Sequence, residues 1–211
     1  MNQPKYLEYQ GLFARARLRY FRRILRQLQS MGCRRLLDYG CGPGDLLLLC
    51  REAGISAVGV DVSARSVELA AKRGLSVLLG DENRPEIAAE KFDAIVLHSV
   101  IEHLPDPVGV LQRLTSRGLA AGGILVLSAP TPGADFWNDP THVRPHTPRS
   151  LQIFGELLGL EVVAINYVFA YLLGLKLRSS FWYRFLNVVP APLGSNLVAF
   201  YRKPGVRTDG V

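Results

Sequence analysis

Apolar residues along this 211-residue chain recur in two rhythms that take turns. Over residues 6–30 they return at three- and four-residue steps (Leu18, Phe21, Leu25, Leu28) with arginines between them, the period of a helix with one buried face, and Gly32 is its stop. Short mostly apolar runs read as strands follow: Leu36-Leu37, Ser56–Asp61, Ser76–Leu79, Phe92–Leu97 and Gly122–Pro130. Helical segments separate them. One starts at Asp45 and ends near Gly54; a second is capped by Ser63, carries Ala64, Val67 and Ala71, and stops at Gly74. A third opens on Asp106-Pro107 and packs through Val108, Leu111 and Leu114; a fourth opens on Thr147-Pro148 and packs through Leu151, Phe154 and Leu158 before Gly159. Strand alternating with helix predicts an α/β protein with right-handed crossovers and a parallel sheet covered on both faces. In such sheets a ligand lies outside the carboxyl ends of the strands, where Asp38 to Gly44, Asp61, Asp81 and His98 all fall.

The first strand runs into Asp38-Tyr39-Gly40-Cys41-Gly42-Pro43-Gly44. A glycine turn between strand and helix lets the backbone approach a ligand, and the first amides of the helix favour a negative group. A dinucleotide fits this, and so does S-adenosylmethionine with its carboxylate at the helix end. The nicotinamide fingerprint places its third glycine after a two-residue gap; here one residue intervenes and position 45 is Asp, which weakens that reading. Asp61 closes the second strand 17 residues past Gly44, near the spacing at which an acid meets a ribose, and its two oxygens suit both hydroxyls. An aspartate that merely caps a turn is the structural alternative.

Asp38-x-Gly40-x-Gly42-x-Gly44 resembles the first motif of class I S-adenosylmethionine-dependent methyltransferases. His98-Ser99-Val100-Ile101-Glu102-His103-Leu104-Pro105-Asp106-Pro107 is similar to their fourth-strand block, above all in quinone-biosynthesis O-methyltransferases and their relatives. The resemblance covers residues 34–203. It implies a Rossmann-like three-layer αβα sandwich whose seven-stranded sheet is mostly parallel with the last strand antiparallel; Leu160–Ile165 and Asn196–Tyr201 are the final pair. It implies S-adenosylmethionine as cofactor, held by Asp38, Tyr39, Gly40, Cys41, Gly42 and Gly44, by Asp61 and Val62, by Asp81 and Glu82, and by His98 and Ser99. In the family the first acid lies near the methionine ammonium, and an acid at the position of Asp81 accepts from the adenine amino group. Two glutamates and a histidine of the quinone enzymes' block are linked to a divalent metal. Glu102 and His103 match two of them, but Ser99 stands where the first glutamate would be, so no metal is carried over.

The segment Thr131–Thr147 is too long for a plain connector and is rich in groups that bind and move protons: Asp135, Asn138, Asp139, His142, Arg144 and His146. A hydroxyl acceptor must lose its proton, and imidazole has a suitable pKa. His142 is the first candidate base, oriented by Asp139 or Arg144, with a purely structural histidine as the alternative. His98, beside the cofactor, and His103, on a short helix within reach of the loop, are its rivals. The expected reaction is O-methylation of a sugar, lipid-linked or quinone-like small molecule. N-methylation is the nearest alternative, and a cofactor-binding protein without catalysis is a different class.

Charge changes the picture at one end only. Lys5, Arg15, Arg17, Arg19, Arg22, Arg23, Arg26, Arg34 and Arg35 face only Glu8 in the first 35 residues, whereas the rest is close to neutral within a net +7. Residues 1–33 are therefore expected as a basic amphipathic helix packed on the 34–203 domain. Its arginines read either as a solvated face or as a footprint for an anionic membrane or polyanionic substrate; nucleic acid is not expected, since no binding motif accompanies the charge. Within the domain, Ala170 to Pro190 is apolar and aromatic, too short and interrupted to span a bilayer. It is expected either as a lid over the acceptor pocket or as a helix on a membrane surface with Phe181, Trp182 and Phe185 inserted. Cys33, Cys41 and Cys50 lack metal or disulfide spacing and fit a reducing cytoplasm; no signal peptide is expected, and residues 204–211 are expected as a disordered tail.

Overall fold

The structure, a computed structural model, describes residues 4–80, 91–168 and 196–205, without the side chains of 4–16 and 134–135. Asp81 and Glu82, the apolar segment 170–190 and residues 206–211 lie outside the described residues. Five α-helices are described, α1 (Pro4–Ser30), α2 (Asp45–Glu52), α3 (Ala64–Lys72), α4 (Pro107–Arg113) and α5 (Pro148–Leu158). The strands are β1 (Arg35–Tyr39), β2 (Ser56–Asp61), β3 (Val77–Leu79), β4 (Phe92–His98), β5 (Leu119–Pro130), β6 (Glu161–Tyr167) and β7 (Asn196–Arg202). They form one sheet in the order β3-β2-β1-β4-β5-β7-β6. β1 to β5 pair parallel, and β7 runs antiparallel between β5 and β6.

The strand period of two explains the three layers. Leu36, Val96, Val126 and Phe200 face one core with Phe21, Ile24, Leu25 and Leu28 of α1 and Leu46 and Leu49 of α2. Their chain neighbours Leu37, Ile95, Leu97, Leu125 and Tyr201 face the other core with Leu111 of α4 and Leu151 and Phe154 of α5. α1 is thus a full layer element, and each of its buried aliphatic side chains contributes about 2 kcal/mol through loss of contact with water. The predicted caps are present: Ser63 accepts from the Ser66 amide, Asp106 from Gly109, and Thr147 exchanges a capping box with Ser150. β5 starts earlier than Gly122, at Leu119, because a π turn at Leu114–Gly118 delivers the chain straight into the strand. Among the described residues no helix is long and apolar enough to cross a membrane.

Candidate functional site

Two groups of side chains meet the carboxyl edge of the sheet. The first surrounds the glycine turn. Gly40 takes φ +81°, and a Cβ there would run into Val100; Gly42 takes φ +53° and has nothing within 4 Å of its missing Cβ, so the turn shows bare backbone to open space. Asp38, 3% exposed, stands beneath it. Burial, then the negative charges of Asp61 and Asp45, push its carboxyl up to about 8. Asp61 locks the turn: its carboxylate accepts from the Gly42 amide at 2.7 Å and from the Ser63 amide at 2.8 Å. The turn-capping role therefore holds, and each oxygen keeps a further lone pair for a hydroxyl. Asp45 pairs with Arg17 of α1 at 2.5 Å and Arg73 at 3.1 Å.

These features suit a cationic nucleoside ligand. Three carboxylates gather with partial compensation, the helix start of α2 has no side-chain cap, and Val62 and Leu79, 52% and 57% exposed, offer apolar surface at the ends of β2 and β3. Tyr39 and Cys41 are buried beside the turn, and the Cys41 thiol is pushed up by burial and by Asp38 and Asp61, which rules it out as a nucleophile at neutral pH. His98 ends β4 beneath α1, its ring centroid 5.1 Å from that of Tyr20 and 4.9 Å edge-on from that of Phe21. Burial, followed by the charge of Arg17, lowers its pKa to about 4, and its Nδ1 is buried without a hydrogen-bond partner. Nothing in the helical periodicity signalled that α1 would cover this ring.

The second group lies after β4. Ser99 adopts φ +53°, uncommon for a residue with a Cβ. Residues 101–103 then form a turn, correcting the short helix expected for Glu102-His103. The left-handed Ser99 on one side and Pro105, which disfavours helical backbone at Leu104, on the other leave too few residues for a helix. The 131–147 segment lies across this turn, with the Val143 amide donating to the Glu102 carbonyl at 2.8 Å and the His146 amide to Pro130 at 3.2 Å.

This crossing brings His142 to His103. Their ring centroids are 4.8 Å apart, and His142 stacks on Phe136 at 4.4 Å. His142 Nδ1 donates to the Phe136 carbonyl at 2.7 Å, which leaves Nε2 as the lone-pair nitrogen, 3.8 Å from Asp139 Oδ2. Thr141 donates its hydroxyl to Asp139 Oδ1 at 2.6 Å, so the His103 Nδ1 contacts to Thr141 Oγ1 at 3.0 Å and its carbonyl at 3.3 Å are donations from the ring. For Asp139, burial raises the carboxyl, but the bonds from Thr141 and the nearby His142 and His103 outweigh it and hold it below the usual range.

Glu102 completes the group at 1% exposure. Burial drives its carboxyl up to about 8, opposed by a hydrogen bond to its own backbone and reinforced by Asp139, and Oε2 has no hydrogen-bond partner. Of the two partners expected for His142, Asp139 is in place; Arg144 is exposed. His146 is an anchor, 1% exposed and packed on Phe154 at 5.6 Å. Burial lowers its pKa to about 4, with a bond to the Ile101 backbone working against this and Arg144 adding to it. The bridging role of Thr141 was missed; the available signal is Asp139 two residues before it, a spacing at which an aspartate side chain takes hydrogen bonds from the chain that follows.

The sheet order and the glycine turn define a class I, Rossmann-like methyltransferase fold. Residues 8–165 match the model of a methyltransferase-domain family, and the chain belongs to that family, whose class uses S-adenosylmethionine. A ubiquinone biosynthesis O-methyltransferase of Actinobacillus pleuropneumoniae is 33% identical over 106 residues, 45% of each chain. A trans-aconitate 2-methyltransferase of Rhizobium etli is 31% identical over 135 residues, 62% of this chain and 50% of the other. The matches thus span about half the length of these curated relatives. A SAM-dependent methyltransferase of Archaeoglobus fulgidus superposes with a TM-score of 0.68 at 22% identity, covering 94% of this chain and 99% of that one.

Proposed function

We propose that this protein moves a methyl group from S-adenosylmethionine to an oxygen of a small-molecule acceptor. Asp38, the glycine turn, Asp61 and the end of β4 would hold the cofactor, and Glu102, His103 and His142 would receive the acceptor. When bound, the cofactor would supply a methyl carbon whose bond to the sulfonium sulfur breaks with both electrons left on sulfur. The acceptor oxygen forms the new carbon–oxygen bond and gives up its proton. Alignment of the two supplies much of the acceleration, and a nearby lone pair takes the proton.

One observation carries this reading: His142, its Nδ1 hydrogen spent on the Phe136 carbonyl, has its lone pair on Nε2, beside a second histidine and a buried carboxyl. His98 is too hard to protonate to take that part and forms a wall of the cofactor crevice. The ubiquinone biosynthesis O-methyltransferase and trans-aconitate 2-methyltransferase relatives support an oxygen acceptor. The test is a mass-spectrometric screen of hydroxylated sugars, phenols and lipid extracts with trideuteromethyl cofactor. A labelled ether or ester supports the reading, and label found only on nitrogen overturns it.

The acceptor can also be membrane-borne. Arg19, Arg22 and Arg26 are exposed along α1 opposite its buried face, a spacing that favours an anionic surface. Retention on anionic but not neutral vesicles in a flotation assay at low salt supports this, and equal behaviour on both removes it.

A further inference from the structure

At the amino edge of the parallel strands, away from both halves of the candidate site, lies a cavity of about 550 Å³. Its walls are the end of α4, the π turn before β5, the end of α5 and Lys203 after β7. Three cationic side chains line it, Arg113, Arg117 and Lys203, and among the described residues no acid does. Main-chain carbonyls beside it would cancel part of that charge, but lysines already occupy them. Lys203 Nζ donates to the Thr115 and Leu119 carbonyls at 2.6 and 2.9 Å, and Lys91 Nζ to those of Ser116 and Arg117. The guanidinium groups are unspent. Neither Arg113 nor Arg117 has an ion pair or side-chain hydrogen bond among the described residues, and the Arg113 Nε is buried without an acceptor. Burial, and then the charge of Lys91, hold the Lys203 ammonium below its ordinary pKa, and the second of these shows that cations crowd here. Beside them Leu157, 55% exposed, and Leu160 give the cavity an apolar side.

We propose that this cavity binds a small organic phosphomonoester, its phosphate between Arg113, Arg117 and Lys203 and its apolar body against Leu157 and Leu160. Two planar guanidinium forks can each take a pair of phosphate oxygens, and the third hydrogen of the Lys203 ammonium adds a bond. A carboxylate, with two oxygens and one charge, would leave a fork over. Exposed Gln112 and Ser116 add neutral donors. The volume is that of a pocket for a small molecule. α5 begins just past the loop of His142 and ends at the cavity, and its eleven residues separate the two by about 15 Å. α4 likewise begins just past the turn of Glu102 and His103 and ends at the cavity. The ester therefore joins the far ends of the two helices behind the acceptor half, the position of an effector and not of the methyl acceptor. That role rests on the methyltransferase reading, whereas the binding does not.

The probe is naphthyl phosphate, titrated into the isotope-labelled full-length chain and followed by nuclear magnetic resonance at the backbone amides and the arginine Nε groups. Saturable shifts are expected at Gly109–Arg117, Leu157–Leu160 and Lys203, and at the Arg113 Nε. Inorganic phosphate, without the apolar body, and naphthol, without the charge, should each bind about tenfold or more weakly. Arg113→Gln and Arg117→Gln, shown by thermal melts to be folded, should each lose about tenfold in affinity for the ester. No shifts at millimolar probe, shifts concentrated at Gly40–Gly44, equal affinity for inorganic phosphate, or unchanged affinity in both folded variants would overturn the site. Binding to phosphatidic acid vesicles with none to the soluble ester overturns it as well. The titration is repeated with saturating S-adenosylmethionine, where the ester shifts should persist and their loss would count against a separate site. Cofactor shifts without ester shifts sink the phosphate site alone, and ester shifts without cofactor shifts sink the methyltransferase reading alone.

Discussion

The two halves of the sheet edge are built on opposite plans. At the ends of β1 and β2 the working surface is backbone: a bare glycine turn and unspent helix amides, with Asp61 tying them through two main-chain hydrogens. At the ends of β4 and β5 it is side chains, set by a hydrogen-bonded series from Phe136 and Thr141 to His142, His103 and Asp139. A ligand common to a whole class of proteins can be held by main chain, which is indifferent to most substitutions. An acceptor peculiar to one member needs groups that differ from member to member. The contrast predicts that the halves fail separately when mutated.

His142→Ala tests this most severely. Turnover should fall about a hundredfold or more while cofactor affinity stays within about twofold, as expected on loss of a proton-handling group. Calorimetry with steady-state kinetics checks it, and a matching fall in affinity would erase the division. Asp61→Ala is the mirror experiment. Losing two charge-assisted bonds to the turn should weaken cofactor binding about thirtyfold, with the remaining turnover at saturating cofactor changed much less. Thr141→Val should cost about tenfold in turnover by freeing His103 and Asp139 from each other, and Thr141→Ser should restore it. A valine variant with full activity and an unmoved pH profile would show that the bridge positions nothing.

Asp38 gives the smallest and most quantitative test. Its carboxyl titrates near 8 in the folded protein against an ordinary value near 4, so between those limits the fold holds a proton that the unfolded chain has released. Its contribution to stability is therefore present at low pH and is lost as pH rises through about 8. A cationic ligand beside it draws the pKa down. Binding S-adenosylmethionine at pH 7 should release up to about one proton, and affinity should strengthen from pH 6 to 8. Calorimetry in two buffers of different ionisation enthalpy reads this directly, and Asp38→Asn should abolish the proton release.

The halves also differed in how far residues alone revealed them. The glycine turn, Asp61, the strand ends and the caps at Ser63, Asp106 and Thr147 are local: each is a short run whose backbone conformation its own residues dictate. The acceptor half depends on a crossing. His103 and His142 come from distant segments, brought together by the Val143–Glu102 bond, the left-handed Ser99 and the contacts of His103 to Thr141. No periodicity encodes such a meeting. The misreading of 101–103 as helix came from the same source, since an apolar run after a strand does not disclose a single residue of positive φ. Glu102 was visible as a residue, but its burial and unpartnered oxygen were not.

The placement of β7 has its own consequence for how this chain reaches its final shape. Among the described residues β6 joins the sheet through β7 alone, and β7 follows it in the chain, so β6 has nothing to join while it waits. Until β7 slides in beside β5, two open edges coexist, and each is an invitation to pair with a stranger. Assembly of this side must therefore finish late, and a ribosome stalled before residue 196 would hold a protein with a formed glycine turn and an unsealed flank.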